Sequence, residues 1–189
     1  MKIVGICGEM GSGKDTLGEM LGGTKVSFAD PLKKVCAYVF DIPVEDMNTQ
    51  EGKASVHPNG YGLTNRRILQ IVGTDMFREL INTDVWIDKF KRTAGQHDYV
   101  VVTDLRFDNE AQVILDLGGI VLEVVRPNNP IANPSGKSML STITNLFNPK
   151  PTEVHASESG ISEHLITARV HNNGSIEDLS DTLNKLCRM

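Results

Sequence analysis

Four things are scarce in this 189-residue sequence, and each scarcity removes a class of answer. Lysine and arginine total 19 against 24 aspartates and glutamates, a net charge of −5. Binding a nucleic-acid polymer draws on surplus cations, so no such partner is expected, whereas a small anionic ligand needs only a local cluster of them. Cysteine occurs at Cys7, Cys36 and Cys187 only, far apart and without metal or disulfide spacing. These residues read as small buried hydrophobes in a reducing compartment. No apolar run approaches the roughly 20 residues that span a bilayer, and the chain enters a strand with no leader pattern, so a soluble cytoplasmic protein is expected. The histidines His57, His97, His155, His164 and His171 lack ligand spacing, and no repeat or low-complexity tract appears. The 40% of apolar residues in this length can bury one substantial core, which fits a single α/β domain over 1–189 with insertions.

What is present first is a phosphate cradle. The apolar run Ile3-Val4-Gly5-Ile6-Cys7 opens into Gly8-Glu9-Met10-Gly11-Ser12-Gly13-Lys14-Asp15-Thr16. Glycine at Gly8, Gly11 and Gly13 permits φ > 0 and leaves no Cβ between backbone N–H groups and an anion. Lys14 supplies a mobile charge for the β- and γ-phosphates, and the helix starting here adds its dipole. Gly11, Ser12, Gly13, Lys14, Asp15 and Thr16 are therefore the expected ATP-phosphate residues. The pattern G-x-x-x-x-G-K-[ST] departs at Asp15, where a hydroxyl usually meets Mg²⁺, and the hydroxyl follows at Thr16. In the register G-x-x-G-x-G-K-x-T the loop resembles that of the nucleoside monophosphate kinases, which implies that Mg²⁺ sits mainly on ATP oxygens and water, with Thr16 or Asp15 touching it indirectly.

Along the chain, Leu17, Met20 and Leu21 give a short helix stopped by Gly22-Gly23, and Lys25–Phe28 reads as a second strand. Asp30 is placed to cap a helix with Pro31 in its first turn and Leu32, Val35, Cys36, Val39 and Phe40 at helical spacing. Residues 44–63 show neither period and read as a mobile insertion. Thr64 then caps a helix to Ile81 whose apolar side is Ile68, Leu69, Val72, Met76 and Leu80, and Asp84 starts another with Val85, Ile87 and Phe90. Tyr99–Val102 is a β-branched run of the kind buried on both faces of a parallel sheet. Asp108 caps the helix Asn109–Leu117, strand four is Ile120–Val125 and strand five Ile166–Val170, and Ser175 with Asp178 boxes the start of a last helix. The proline-rich stretch 127–160, weakly helical around Met139–Phe147, reads as a second insertion or lid.

On the helix 65–81, Arg67, Gln70, Thr74 and Arg78 fall in a narrow arc at 100° per residue, opposite the apolar side. Guanidinium forks there suit an acceptor phosphate, although a solvated polar face has the same pattern and Gly73 lies between them. Asp104 ends the third strand, where ligands gather in open α/β sheets, and is expected to orient Mg²⁺ through water or to contact the acceptor; Arg106 follows on the same loop. Arg126 leaves strand four toward this edge, for a phosphate contact or a surface ion pair. Trp86 either stacks on a nucleobase or plugs the inserted lobe.

Taken in order, several segments resemble the deoxynucleoside monophosphate kinases of bacteriophages and their bacterial relatives: the loop Gly8 to Thr16, Phe28-Ala29-Asp30-Pro31-Leu32-Lys33, Arg67-Ile68-Leu69-Gln70 with Gly73-Thr74-Asp75 and Arg78, Asp104-Leu105-Arg106-Phe107 with Asn109-Glu110-Ala111, His155-Ala156-Ser157-Glu158, and Asn172-Asn173-Gly174-Ser175. The resemblance implies an α/β P-loop kinase: a three-layer core over 1–30, 96–126 and 161–189 with a five-stranded parallel sheet, a helical monophosphate-binding lobe over about 31–95 and a lid over about 127–160. It implies ATP and Mg²⁺ as cofactors and a deoxynucleoside monophosphate as acceptor, with host cytoplasm as location if the chain is phage-encoded and a homodimer as the one protein assembly considered. Lys14, Arg78, Asp104, Arg106 and Arg126 then carry catalysis. Asp30, Arg67, Gln70, Thr74, Arg78, Trp86 and Arg106 serve the acceptor, and Asn172, Asn173, Gly174 and Ser175 lie near adenine. The stretch 127–160 departs from the pattern, because a lid of this kind brings arginines and this one has only Lys137 and Lys150. Two other readings stand beside this one. A dephospho-CoA kinase would need a base, for which Asp30 is the candidate. A nucleotide-dependent switch would want Asp-x-x-Gly at a strand end and Asn-Lys-x-Asp, and neither is matched.

Overall fold

The computed structural model describes residues 1–127, 160–173, 175–177 and 179–180. Five parallel strands form one sheet: β1 (Lys2–Cys7), β2 (Thr24–Lys25), β3 (Tyr99–Val102), β4 (Ile120–Val125) and β5 (Ala168–His171), in the order β2-β3-β1-β4-β5. β1 is central, paired to β3 through Ile3↔Val100 and to β4 through Val4↔Ile120. Its side chains alternate between two cores. Ile3 and Cys7 join Val100, Val102, Phe90 and Ile114 on one face, while Val4 and Ile6 join Leu17, Val101, Leu122 and Val170 on the other. Two buried faces explain the unbroken apolar runs of the sequence.

The helices are α1 (Lys14–Leu21), α2 (Asp30–Phe40), α3 (Gln50–Ala54), α4 (Asn65–Gln70), α5 (Val85–Ala94) and α6 (Asp108–Asp116), with a π-helix at Ile71–Ile81 continuing α4. A third cluster, Cys36, Ile42, Met47, Ile68 and Val72, joins α2 to α4 and is the apolar centre of the residues between β2 and β3. It is built as the periodicity of α2 and α4 requires.

Several expected details differ, each for a local reason. Strand two ends at Lys25 rather than Phe28, because the Ser27 hydroxyl and the Phe28 and Ala29 N–H groups turn to the Asp104 carboxylate instead of continuing the ladder. Asp30 does not cap α2. Ala29 holds that position, with Asp30 already in the first turn. Residues 44–63 are not featureless: Thr49 caps α3, a 3-10 turn spans Pro58–Gly60, and Val56 bridges Thr64. Thr64 caps α4 as expected. Asp108 is not the cap of α6. Glu110 reaches back to the N–H groups of Arg106 and Phe107, at 2.8 and 3.2 Å, and Asp108 instead accepts from Ser162.

The largest departure is the π-helix. Its bonding runs five residues back, as in Asn82 N–H to Phe77 O, so each turn holds more residues than an α-turn and the inward face advances. Phe77 and Arg78 consequently turn inward. Met76 and Leu80, expected on the apolar side, are 47% and 80% exposed. The lid expectation over 128–159, with His155, Lys137, Lys150 and Met139–Phe147, lies outside the described residues, as do Gly174, Asp178 and Cys187.

Candidate active site

The phosphate loop is held from below by the sheet and from the side by β5. Gly8 takes φ 135°, and a Cβ there would stand 2.5 Å from the Val124 carbonyl, so only glycine lets β1 turn this close to β4. Gly13, at φ 102°, is the N-cap of α1, and a Cβ on it would meet the Asn172 amide at 2.5 Å. Asn172 donates from Nδ2 to the Ser12 carbonyl at 2.8 Å, while its own N–H pairs with Val125 O. This buried residue buttresses the loop backbone from the end of β5. The placement refines the expectation for the Asn172–Ser175 turn, in which Asn173 and Ser175 are exposed. Arg126 reaches the same loop, with Nη1 donating to Gly11 O at 3.2 Å, a loop contact rather than a surface ion pair.

Lys14 lies across the loop, its Nζ donating to Gly8 O at 2.7 Å and Glu9 O at 2.6 Å. Burial lowers its affinity for a proton, the Asp15 carboxylate opposes that, and the Arg106 charge adds to it. Asp15 accepts from Lys25 at 2.7 Å and from the Thr103 hydroxyl at 2.8 Å. Partial burial works to raise its pKa, and these two donors outweigh it to hold the carboxyl below the ordinary range. Asp15 thus staples α1 to the ends of β2 and β3. Three positive-φ glycines, a helix start and a lysine make a cradle that fits polyphosphate. For a divalent cation the fit is looser: no carboxylate-rich cluster occurs among the described residues, and Asp15 is already engaged.

Beside the loop opens a solvent-connected cleft walled by apolar and charged side chains. Its apolar wall is Phe28, Leu32, Leu69, Trp86 and Phe107. Trp86 is both plug and wall, since its Nε1–H donates to Gly73 O at 2.9 Å while its ring packs on Phe77 at 4.9 Å and lines the cleft. Gln70, Thr74 and Asp104 give the cleft neutral and acidic polar edges, and Lys33, Lys53, Arg66 and Arg106 give it charge.

The expected arc therefore comes out changed. Gln70, Thr74 and Arg78 line the cleft, but Arg67 does not. Arg67 is half exposed and paired with Asp75 at 3.3 Å, and the residue before it, Arg66, takes the place facing the cleft. The 100° projection assumed one continuous α-helix, and α4 with the π-helix is not one. Arg78 is buried and committed. It pairs with Glu110, donates to Thr83 O at 3.1 Å and lies 3.9 Å over the Phe107 ring. Burial pushes the Glu110 carboxyl up, against the pull of Arg78 and two backbone donors. Asp104 spends its carboxylate on Ser27, Phe28 and Ala29, which makes it the fixture that sets where α2 begins. Asp30 is exposed, 3.7 Å from Lys33, and outside the cleft. Lys53 and Lys33 were not singled out in the sequence. Lys53 lies in the stretch read as featureless, and the Thr49 cap was the one signal for α3.

A glycine loop running from the central strand of an all-parallel sheet into a helix, with its lysine at the helix start, defines a P-loop α/β protein. In fold it is similar to the dephospho-CoA kinase from Campylobacter jejuni, with a TM-score of 0.50 at 12% identity over 100% of this chain and 96% of that one. The family model for deoxynucleotide monophosphate kinase matches residues 42–183, and the chain belongs to that family. A protein of Acanthamoeba polyphaga mimivirus named "putative deoxynucleotide monophosphate kinase" is 36% identical over 145 residues, covering 67% of this chain and 75% of that protein. The deoxynucleotide monophosphate kinase of Enterobacteria phage T4 is 27% identical over 120 residues, 60% of this chain and 41% of that protein. The matched part spans less than half the length of the phage relatives. No helix among the described residues is long and apolar enough to cross a membrane.

Proposed function

We propose that this chain transfers the γ-phosphoryl group of ATP to the 5′-phosphate of a deoxynucleoside monophosphate, releasing ADP and the diphosphate. The observation that carries the reading is the position of Arg106. Arg106 lines the cleft, and its charge acts on Lys14 of the phosphate loop as well as on Lys53, so it is near both. A cation there serves a phosphoryl group in transit, where charge is spread over the equatorial oxygens and catalysis is by positioning and electrostatic stabilisation. Lys14 holds the donor phosphates, Arg126 and Asn172 hold the loop that carries it, and the aromatic wall with Gln70 and Thr74 receives the acceptor nucleoside. Mg²⁺, carried on the nucleotide, would neutralise β- and γ-oxygens, with Asp15 and Thr16 at the start of α1 reaching it through water. An acceptor phosphate oxygen is already anionic, so no base is required, in keeping with Asp30 lying outside the cleft.

The residues about 31–95 act in this reading as the acceptor lobe, 127–160 as a lid that excludes water, and every described site residue comes from one copy of the chain. The test is ADP release with ATP, Mg²⁺ and each common ribo- and deoxynucleoside monophosphate in turn. Turnover with one or more deoxynucleotides is expected. Turnover with dephospho-CoA alone, or ADP release indifferent to any acceptor, would overturn the proposal.

A further inference from the structure

Five cations line the cleft: Arg78 is paired with Glu110, and two others, Lys53 and Arg106, have no side-chain partner among the described residues. Lys33 has Asp30 at 3.7 Å, and Arg66 donates to Gln50 Oε1 at 2.7 Å. The Lys53 ammonium has no hydrogen-bond or ion-pair partner among the described residues, and for Arg106 only the backbone N–H is engaged, with Glu110. The carboxylates nearby are committed elsewhere: Asp104 to Ser27, Phe28 and Ala29, Glu110 to Arg78, and Asp15 to Lys25 and Thr103. Lys53 is also not on a loose segment. Thr49 caps α3, Asn65 Nδ2 donates to Gly52 O at 2.9 Å, and Arg66 bonds Gln50, so the short helix is pinned to the start of α4 with Lys53 turned into the cleft. A fixed, half-buried ammonium set among like charges is unfavourable unless an anion completes the cluster.

We propose that Lys53 is a binding residue for the 5′-phosphate of the acceptor, closing on that dianion together with Arg106, and that it links acceptor binding to proton uptake. The inference rests on the acceptor site proposed above. Burial first, then the charges of Arg106, Lys33 and Arg66, draw the Lys53 ammonium down to about 8, with Asp15 the one opposing charge. An arriving phosphate dianion reverses the sign of that field, so the amine regains its proton as the ligand binds. A lysine held this way favours a doubly charged phosphate over an uncharged nucleoside, because only the dianion offsets both Lys53 and Arg106.

Isothermal titration of the full chain with dAMP, dCMP, dGMP and dTMP separately, at pH 8.5 in two buffers of different ionisation enthalpy, measures the proton count. A group with a pKa of about 8 is roughly one quarter protonated at pH 8.5, so binding should take up roughly three quarters of a proton. The free phosphate, with a second pKa near ~6, contributes almost none. Lys53→Arg, charged at every pH used, should bind with uptake abolished, and Lys53→Met should bind about tenfold to a hundredfold more weakly. Unchanged uptake in Lys53→Arg, or affinity within about twofold of the parent in a folded Lys53→Met, overturns the inference alone if the parent turns over a deoxynucleotide. If the parent neither binds nor phosphorylates any of the four, the proposed function falls, and this inference with it.

Discussion

In the proposed function, the phosphate loop and the acceptor cleft take the same kind of group by opposite means. The loop would do it with contiguous residues, Gly8 to Thr16, through backbone N–H groups, a helix start and one lysine. The cleft collects its cations from five places: Lys33 on α2, Lys53 on α3, Arg66 on α4, Arg78 on the π-helix and Arg106 after β3. A backbone site is written locally and tolerates little substitution. A side-chain site is written across the fold and can be changed one residue at a time, so mutations in the two regions should behave differently.

The largest effect belongs to a buried ion pair in the cleft wall. Arg78→Ala leaves Glu110 buried without its partner, which costs about 3 to 5 kcal/mol of stability. Denaturant unfolding should show a large loss, and Arg78→Met with Glu110→Leu should recover much of it; an unchanged midpoint for Arg78→Ala would show that the pair holds nothing together. Next comes Lys14→Ala, expected to fold normally and to lose roughly 3 to 4 kcal/mol of transition-state stabilisation, several hundredfold in kcat. Substantial turnover by the folded variant would contradict the role of the loop. The smallest effects sharpen the comparison within the cleft. Arg66→Ala should raise the acceptor KM about tenfold at saturating ATP, through one lost charge-assisted bond. Arg67→Ala removes an exposed pair with Asp75 and should change acceptor behaviour by less than about twofold. Equal effects at the two positions would mean that the cleft does not select between them.

This contrast also explains what could be read in the sequence. The P-loop, the parallel sheet, the α5 periodicity and the Thr64 cap are local signals, and the structure places them as expected, while the α2 periodicity holds except at Val39, which is exposed. Arg67 was chosen over Arg66 because 100° per residue was carried through a segment that becomes a π-helix at Ile71. Nothing in a helical projection marks that change of pitch. Asp104 was legible by position but not by role, because its partners, Ser27 to Ala29, are about 75 residues away in sequence. Lys53 was hidden in a polar stretch whose short helix is held by Asn65 and Arg66 rather than by its own propensity.

The central claim is that loop and cleft are two halves of one site joined at Arg106. A bisubstrate compound, adenosine linked through five phosphates to a deoxynucleoside, tests it most directly. If the halves are continuous, the compound should displace both ATP and the monophosphate and bind at least a hundredfold more tightly than either, since the linkage makes the second contact intramolecular, an advantage on the order of 10² to 10⁴. Arg106→Ala should remove most of that advantage while leaving ATP binding nearly unchanged. A compound that competes with one substrate only, or binds no tighter than ATP, would show two separate sites and contradict the account.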